Sequence, residues 1–206
     1  RAFQLHFDGG LAPHARQLIV NLLDAKGSEL RLTKLYKSYL RRVYETDEQM
    51  EYHEFDFHAE CRNDQYERVD DLVMALEARI HRIGFTEVVN DELEAIQFGV
   101  IRTNCLDCLD RTNLVQSTLA RFVLAQQFAV FGARTEMPLG GILDRAFKEA
   151  WANNGDAISL QYAGTGALKS DFTRTGKRNT KGKFKDGVNA LSRYVINNFH
   201  DSMRQV

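Results

Sequence analysis

The feature that most constrains this chain is a short apolar run that breaks into a dense polar loop. Residues 96–101 (IQFGVI) are apolar and β-branched and read as a buried strand. RTNCLDCLDRTN follows at 102–113. Leu114, Val115, Thr118, Leu119, Phe122 and Val123 then keep the spacing of one helix face. Strand, loop and helix in series predict an α/β fold whose loop lies between a strand end and a helix start.

The rest of the chain fits that class. Segment 14–23 (HARQLIVNLL) reads as a buried strand and 52–57 (YHEFDF) as an alternating one. Apolar spacing predicts helices over 29–43 and 66–83, with Gly84 as a stop. Further helices are expected over 140–153 and 188–199, and a long loop over 164–187. With 206 residues and no linker or repeat, the chain reads undivided. A net charge of −1 argues against a whole-protein nucleic-acid field. Three cysteines do not make a disulfide framework, so a reducing compartment is expected. The first ten residues carry no secretory-signal pattern, and no stretch is long and apolar enough to span a bilayer.

Charge is unevenly distributed. Residues 44–70 hold ten acidic groups against two arginines, which as such is a solvated face. Residues 169–185 hold seven Lys/Arg against one Asp, beside a turn with Gly164 and Gly166. Lys169, Arg174, Lys177, Arg178, Lys181, Lys183 and Lys185 are candidates to meet an anionic surface.

Cys105 and Arg111 form Cys-x5-Arg, with Thr112 next. A loop at a helix start can turn its N–H groups inward and, with the helix dipole, cradle a phosphate dianion. Leu106, Cys108, Leu109 and Thr112 would line that cradle. The thiol would sit beneath the phosphorus and the guanidinium would grip two oxygens through its planar fork. The same field would lower the thiol pKa, so that the thiolate attacks and water later hydrolyses a cysteinyl-phosphate. Cys105 and Cys108 also form Cys-x-x-Cys, so a redox pair, half of a zinc site, or an inert structural loop stand as alternatives. Zinc would need further ligands, and the other thiol, Cys61, lies some forty residues upstream.

RTNCLDCLDRTN closely resembles the signature of the Sac-domain phosphoinositide phosphatases. Segment 151–178 (WANNGDAISLQYAGTGALKSDFTRTGKR), segment 189–204 (NALSRYVINNFHDSMR), IVNLL at 19–23 and FDFHAEC at 55–61 are also similar to stretches of that family. DFTRTGKR resembles the membrane-anchored endoplasmic reticulum and Golgi branch. The resemblance implies that Cys105 is the nucleophile and Arg111 the phosphate-binding arginine, with Asp107, Asp110 and Thr112 as motif positions. It implies phosphoinositide lipids, chiefly phosphatidylinositol 4-phosphate, as substrates on the cytosolic face of membranes, with no cofactor or metal. It implies that residues 1–206 are the later, catalytic part of a Sac domain, without its N-terminal lobe or membrane hairpin.

Departure of an inositol oxygen needs an acid. The single tryptophan, Trp151, precedes Ala152 and Asn153 rather than Pro-Asp, and Asn104 rather than His precedes Cys105, which disfavours a tyrosine phosphatase. Asp107 is the expected acid and Asp110 the expected loop organiser. Cys108 and Cys61 read as buried packing residues, and His53, His58 and His81 as packing or surface residues. A non-enzymatic phosphoinositide-binding or scaffolding module is the alternative function.

Overall fold

The computed structural model describes residues 2–8, 15–44, 49–132, 141–168, 170–175 and 180–199. The chain divides into two units, residues 1–106 and 107–206, parting within the loop after the last strand.

The first unit runs α1 (Ala2–Asp8), β1 (Arg16–Asn21), α2 (Leu30–Tyr44), β2 (Met50–Glu54), α3 (Phe57–Glu60), α4 (Arg68–Ile83), β3 (Glu87–Val89), β4 (Glu92–Ala95) and β5 (Gly99–Asn104). Its sheet has the order β2-β1-β5, all parallel. The register pairs Asn21 with Glu54 on one side and with Asn104 on the other. Leu18, Ile19 and Val20 are all buried, as a parallel strand covered on both faces requires. Ile19 packs with Phe7 of α1 and Leu40 of α2, joined by Tyr36, Met50 and Tyr52. On α4, Val69, Leu72, Val73, Leu76 and Ile80 repeat at helical spacing and are buried. Gly84 closes that helix, its N–H donating to Ile80 O at 3.0 Å.

The second unit holds α5 (Asp110–Val130), α6 (Ile142–Ala163), α7 (Ser170–Thr175) and α8 (Thr180–Phe199). Buried Asp144 on α6 meets Arg121 of α5 at 3.0 Å and Lys148 at 2.8 Å. Among the described residues no helix is long and apolar enough to cross a membrane.

Several elements depart from expectation. β2 ends at Glu54, because Asp56 leaves the strand to cap α3, accepting from Ala59 N at 2.9 Å. A hairpin, β3–β4, turns on Asn90 and Asp91, both at positive φ. α6 runs ten residues past the expected end, through Asn153-Asn154-Gly155, a poor helical triplet. Packing overrides propensity there: a Cβ on Gly155 would lie 2.8 Å from Asn113 Nδ2. Gly164, left-handed at φ 69°, ends the helix. The expected loop over 164–187 contains α7 and the start of α8. Ion pairs from Arg174 to α6 hold the first, and contacts of Asn189 and Arg193 hold the second.

Candidate active site

The order β2-β1-β5 makes the chain reverse direction across β1, so a crevice is expected at the carboxyl ends of β1 and β5. Polar side chains gather there. Asn104 Nδ2 donates to Asn21 Oδ1 at 2.5 Å, and Leu22 N–H donates to Asn104 O at 2.8 Å. Asn21 is 1% exposed, and its Nδ2 donates to Thr33 Oγ1 at 3.4 Å. Cys105 follows Asn104 directly and is buried. Asn104 Oδ1, beside it in sequence, is a buried acceptor without a hydrogen bond among the described residues. Beyond β1 and β2, Asp56 also accepts from Ala25 N at 2.9 Å, and His58 Nδ1 lies 2.8 Å from Asp24 Oδ1.

The second unit opens on a tight turn. Asp107 Oδ1 accepts from Leu109 N at 3.1 Å, closing an Asx turn. Inside it Cys108 takes φ 55°, a left-handed conformation uncommon for a residue with a Cβ. Leu109 is buried and precedes the first helical residue, Asp110. Leu168 N–H donates to Asp110 Oδ1 at 2.6 Å, and Arg193 of α8 meets Asp110 Oδ2 at 2.7 Å. Arg193 further donates to Ser159 Oγ at 2.7 Å, Thr165 Oγ1 at 3.0 Å and Gly166 O at 3.2 Å. Asp110 thus has its charge paired and its carboxylate fixed toward the 165–168 turn. Arg111 and Thr112 are buried on the first turn of α5, and Thr112 Oγ1 has no hydrogen-bond partner among the described residues. One turn on, Asn113 donates to Trp151 O at 3.1 Å and accepts from Asn154 at 3.0 Å, tying α5 to α6.

Two expectations change. Cys108 is exposed rather than a buried packing residue, because the Asx turn swings it out of the loop. Arg174 is drawn into its own unit, pairing with Glu149 and with Asp156 at 3.0 Å and donating to Asn153 at 3.1 Å. The two carboxylates raise its pKa, the Glu149 hydrogen bond foremost. Leu106 and Asp107 are exposed, and Cys61 is buried. Lys183 and Lys185 lie exposed on α8. Lys169, Lys177, Arg178 and the Lys181 side chain fall outside the described residues. Arg193 was not singled out from sequence. It lies 83 residues from Asp110, and only its place in the 189–204 segment marked it.

A model described as the SacI homology domain matches residues 1–62. The chain is 44% identical over 207 residues to the Drosophila melanogaster phosphatidylinositol-3-phosphatase SAC1, covering 98% of this chain and 34% of that protein. It is 42% identical over 205 residues to the Mus musculus phosphatidylinositide phosphatase SAC2, covering 98% and 18%. It is 40% identical over 219 residues to the Saccharomyces cerevisiae phosphatidylinositol-3-phosphatase SAC1, covering 99% and 34%. The chain therefore spans about a third or less of the length of these relatives.

Proposed function

Because the chain belongs to the SacI-homology family, we propose that it is the catalytic part of a phosphoinositide phosphatase. The reaction removes a monoester phosphate from the inositol ring of a phosphatidylinositol phosphate. The observation that carries the reading is the local order of the chain. Cys105 directly follows a parallel strand, and Arg111 is the second residue of the next helix. That is the arrangement in which a thiolate, inward N–H groups and a helix dipole converge on one phosphate.

Cys105 attacks phosphorus and the inositol oxygen leaves with a proton from Asp107. Water then cleaves the cysteinyl-phosphate. The N–H groups of Leu106, Cys108 and Thr112 and the fork of Arg111 hold the equatorial oxygens, where charge grows in the transition state, while the Leu109 N–H, engaged by Asp107, shapes the loop around them. Asn104 Oδ1 and Thr112 Oγ1, buried and without hydrogen-bond partners among the described residues, flank Cys105 and Arg111 in sequence, and a bound phosphate would account for them. Asp110, neutralised by Arg193, keeps the helix start from repelling the dianion. The exposed lysines of the 169–185 run face an anionic bilayer on the cytosolic side of the membrane, of the endoplasmic reticulum or Golgi in the whole protein.

Positional choice is where the supporting observations divide. The motif resemblance favours the 4-phosphate, whereas two of the relatives are named for the 3-phosphate. We propose the 4-phosphate as the principal substrate. Phosphate release from each short-chain phosphoinositide tests both levels. Release from the 4-phosphate above the others is expected. Faster release from the 3-phosphate overturns the positional choice. Headgroup binding without any release makes the chain a binding module.

A further inference from the structure

The two faces of α8 carry opposite chemistry. Asn189 donates to Gly166 O at 3.2 Å and Arg193 pairs with Asp110 at 2.7 Å, so one face is pinned to its own unit. At 3.6 residues per turn, Phe184, Val188 and Leu191 fall within an arc of about 60° on the other side of the helix. They are 76%, 49% and 65% exposed. Three large apolar side chains at i, i+4 and i+7 on one exposed stripe are what an amphipathic helix presents to a partner.

The flanks identify the partner. Lys183 and Lys185 lie about 100° to either side of Phe184, and both are exposed. They stand in the first two turns, at the positive end of the helix dipole, where cations disfavour the helix, and no acidic residue occupies the first turn. An apolar stripe edged by lysines matches a bilayer interface: the stripe enters the acyl boundary and the lysines reach up to anionic headgroups.

The geometry points to α8 as a membrane-docking helix that lies in the plane of an anionic bilayer with Phe184, Val188 and Leu191 inserted. The inference rests on the lipid-substrate reading above but adds an apolar anchor to a charge-only contact. Arg193, on the pinned face, connects this helix to Asp110 at the start of α5.

The test uses the full chain with phosphatidylcholine vesicles, with and without phosphatidylserine. Phe184→Ser with Leu191→Ser is expected to lower partition onto the anionic vesicles by about tenfold or more at both low and high salt. Lys183→Gln with Lys185→Gln lowers it only at low salt, because screening already removes that contribution at high salt. In a Phe184→Trp variant, emission is quenched by lipids brominated on the acyl chain, while wild type, whose only tryptophan is Trp151, is not. Binding of the serine variant within twofold of wild type overturns the inference. So does an unquenched Phe184→Trp, or a lipid-free dimer that the serine variant dissociates, which would make a second copy the occupant. Release from a water-soluble short-chain phosphoinositide by wild type is scored separately. Its absence defeats the enzymatic reading while leaving the vesicle result standing.

Discussion

At the end of β5 the chain is held by a neutral contact, Asn104 to Asn21 at 2.5 Å, whereas at the start of α5 it is held by charge, Asp110 to Arg193 at 2.7 Å with Leu168 N–H at 2.6 Å. An amide pair costs about one hydrogen bond when broken. A desolvated ion pair leaves an uncompensated charge behind, and its loss is several times larger. Cys105, the proposed nucleophile, thus follows a strand end held by a neutral contact, and Arg111, the proposed phosphate-gripping residue, follows a helix start whose own charges cancel.

The largest effect expected is on chemistry. Cys105→Ser should lower phosphate release by on the order of 10³-fold or more while keeping headgroup binding, because serine is not ionised near neutral pH. Arg111→Lys should be nearly as damaging as Arg111→Ala, since a point charge cannot reproduce the bidentate grip. If Cys108→Ser were the inactive variant and Cys105→Ser the active one, the nucleophile would sit on the other side of the unit boundary. The comparison would then collapse.

The two aspartates sharpen it next. Asp107 accepts from Leu109 N–H within a local turn, while Asp110 is committed to Arg193 and Leu168. Asp107→Asn should slow lipid hydrolysis by about 10²-fold and largely spare an activated aryl phosphate, whose phenolate leaves without an acid. Asp110→Asn should slow both alike, because a misplaced helix start fails any substrate. Equal losses for Asp107→Asn reject it as the acid.

Stability gives the third contrast. The Asp110 and Arg193 side chains are 9% and 12% exposed. Arg193→Met should therefore cost about 3 kcal/mol in denaturant unfolding, with part restored by adding Asp110→Asn. Asn104→Ala should cost nearer 1 kcal/mol. Equal costs would mean that the two scaffolds do not differ in kind.

Much of this was legible wherever the signal is local. The strand at 16–21 and the helices at 30–44 and 68–83 announce themselves through apolar spacing, and the Cys-x5-Arg loop through seven adjacent residues. What escaped depends on distant partners. Asn153-Asn154-Gly155 reads as a helix end until Asn113 is seen against Gly155, where a side chain would not fit. The α8 start reads as loop because Lys, Gly and Thr dominate it, and only Asn189 and Arg193 gripping the 165–168 turn make it helical. Arg193 is one of many basic residues until Asp110, 83 residues away, lies beside it. The β3–β4 turn also went unread, because Asn90-Asp91 lacks the glycine that marks most two-residue hairpin turns.

The smallest effect separates the units by pH. Among the described residues, every histidine lies in the first unit, and His53 on β2 has a displaced titration. Burial lowers its pKa and nearby Arg79 lowers it further, partly opposed by Glu54. The folded pKa thus lies below the unfolded value of about 6.5. Above pH of about 6.5 the ring is neutral in both states and the folded state carries no penalty. As pH falls below that value, the unfolded chain binds a proton that the folded chain does not. Stability is then lost until the folded pKa is passed. One group can contribute a slope of at most about 1.4 kcal/mol per pH unit. His53→Gln should flatten the acid side of the stability profile by less than that limit. In hydrogen exchange the change should appear at the amides of β1 and β2 and not at those of α6. An unchanged acid slope in the variant would assign the loss to carboxylates, and a change in α6 protection would deny that the proton is linked to the sheet.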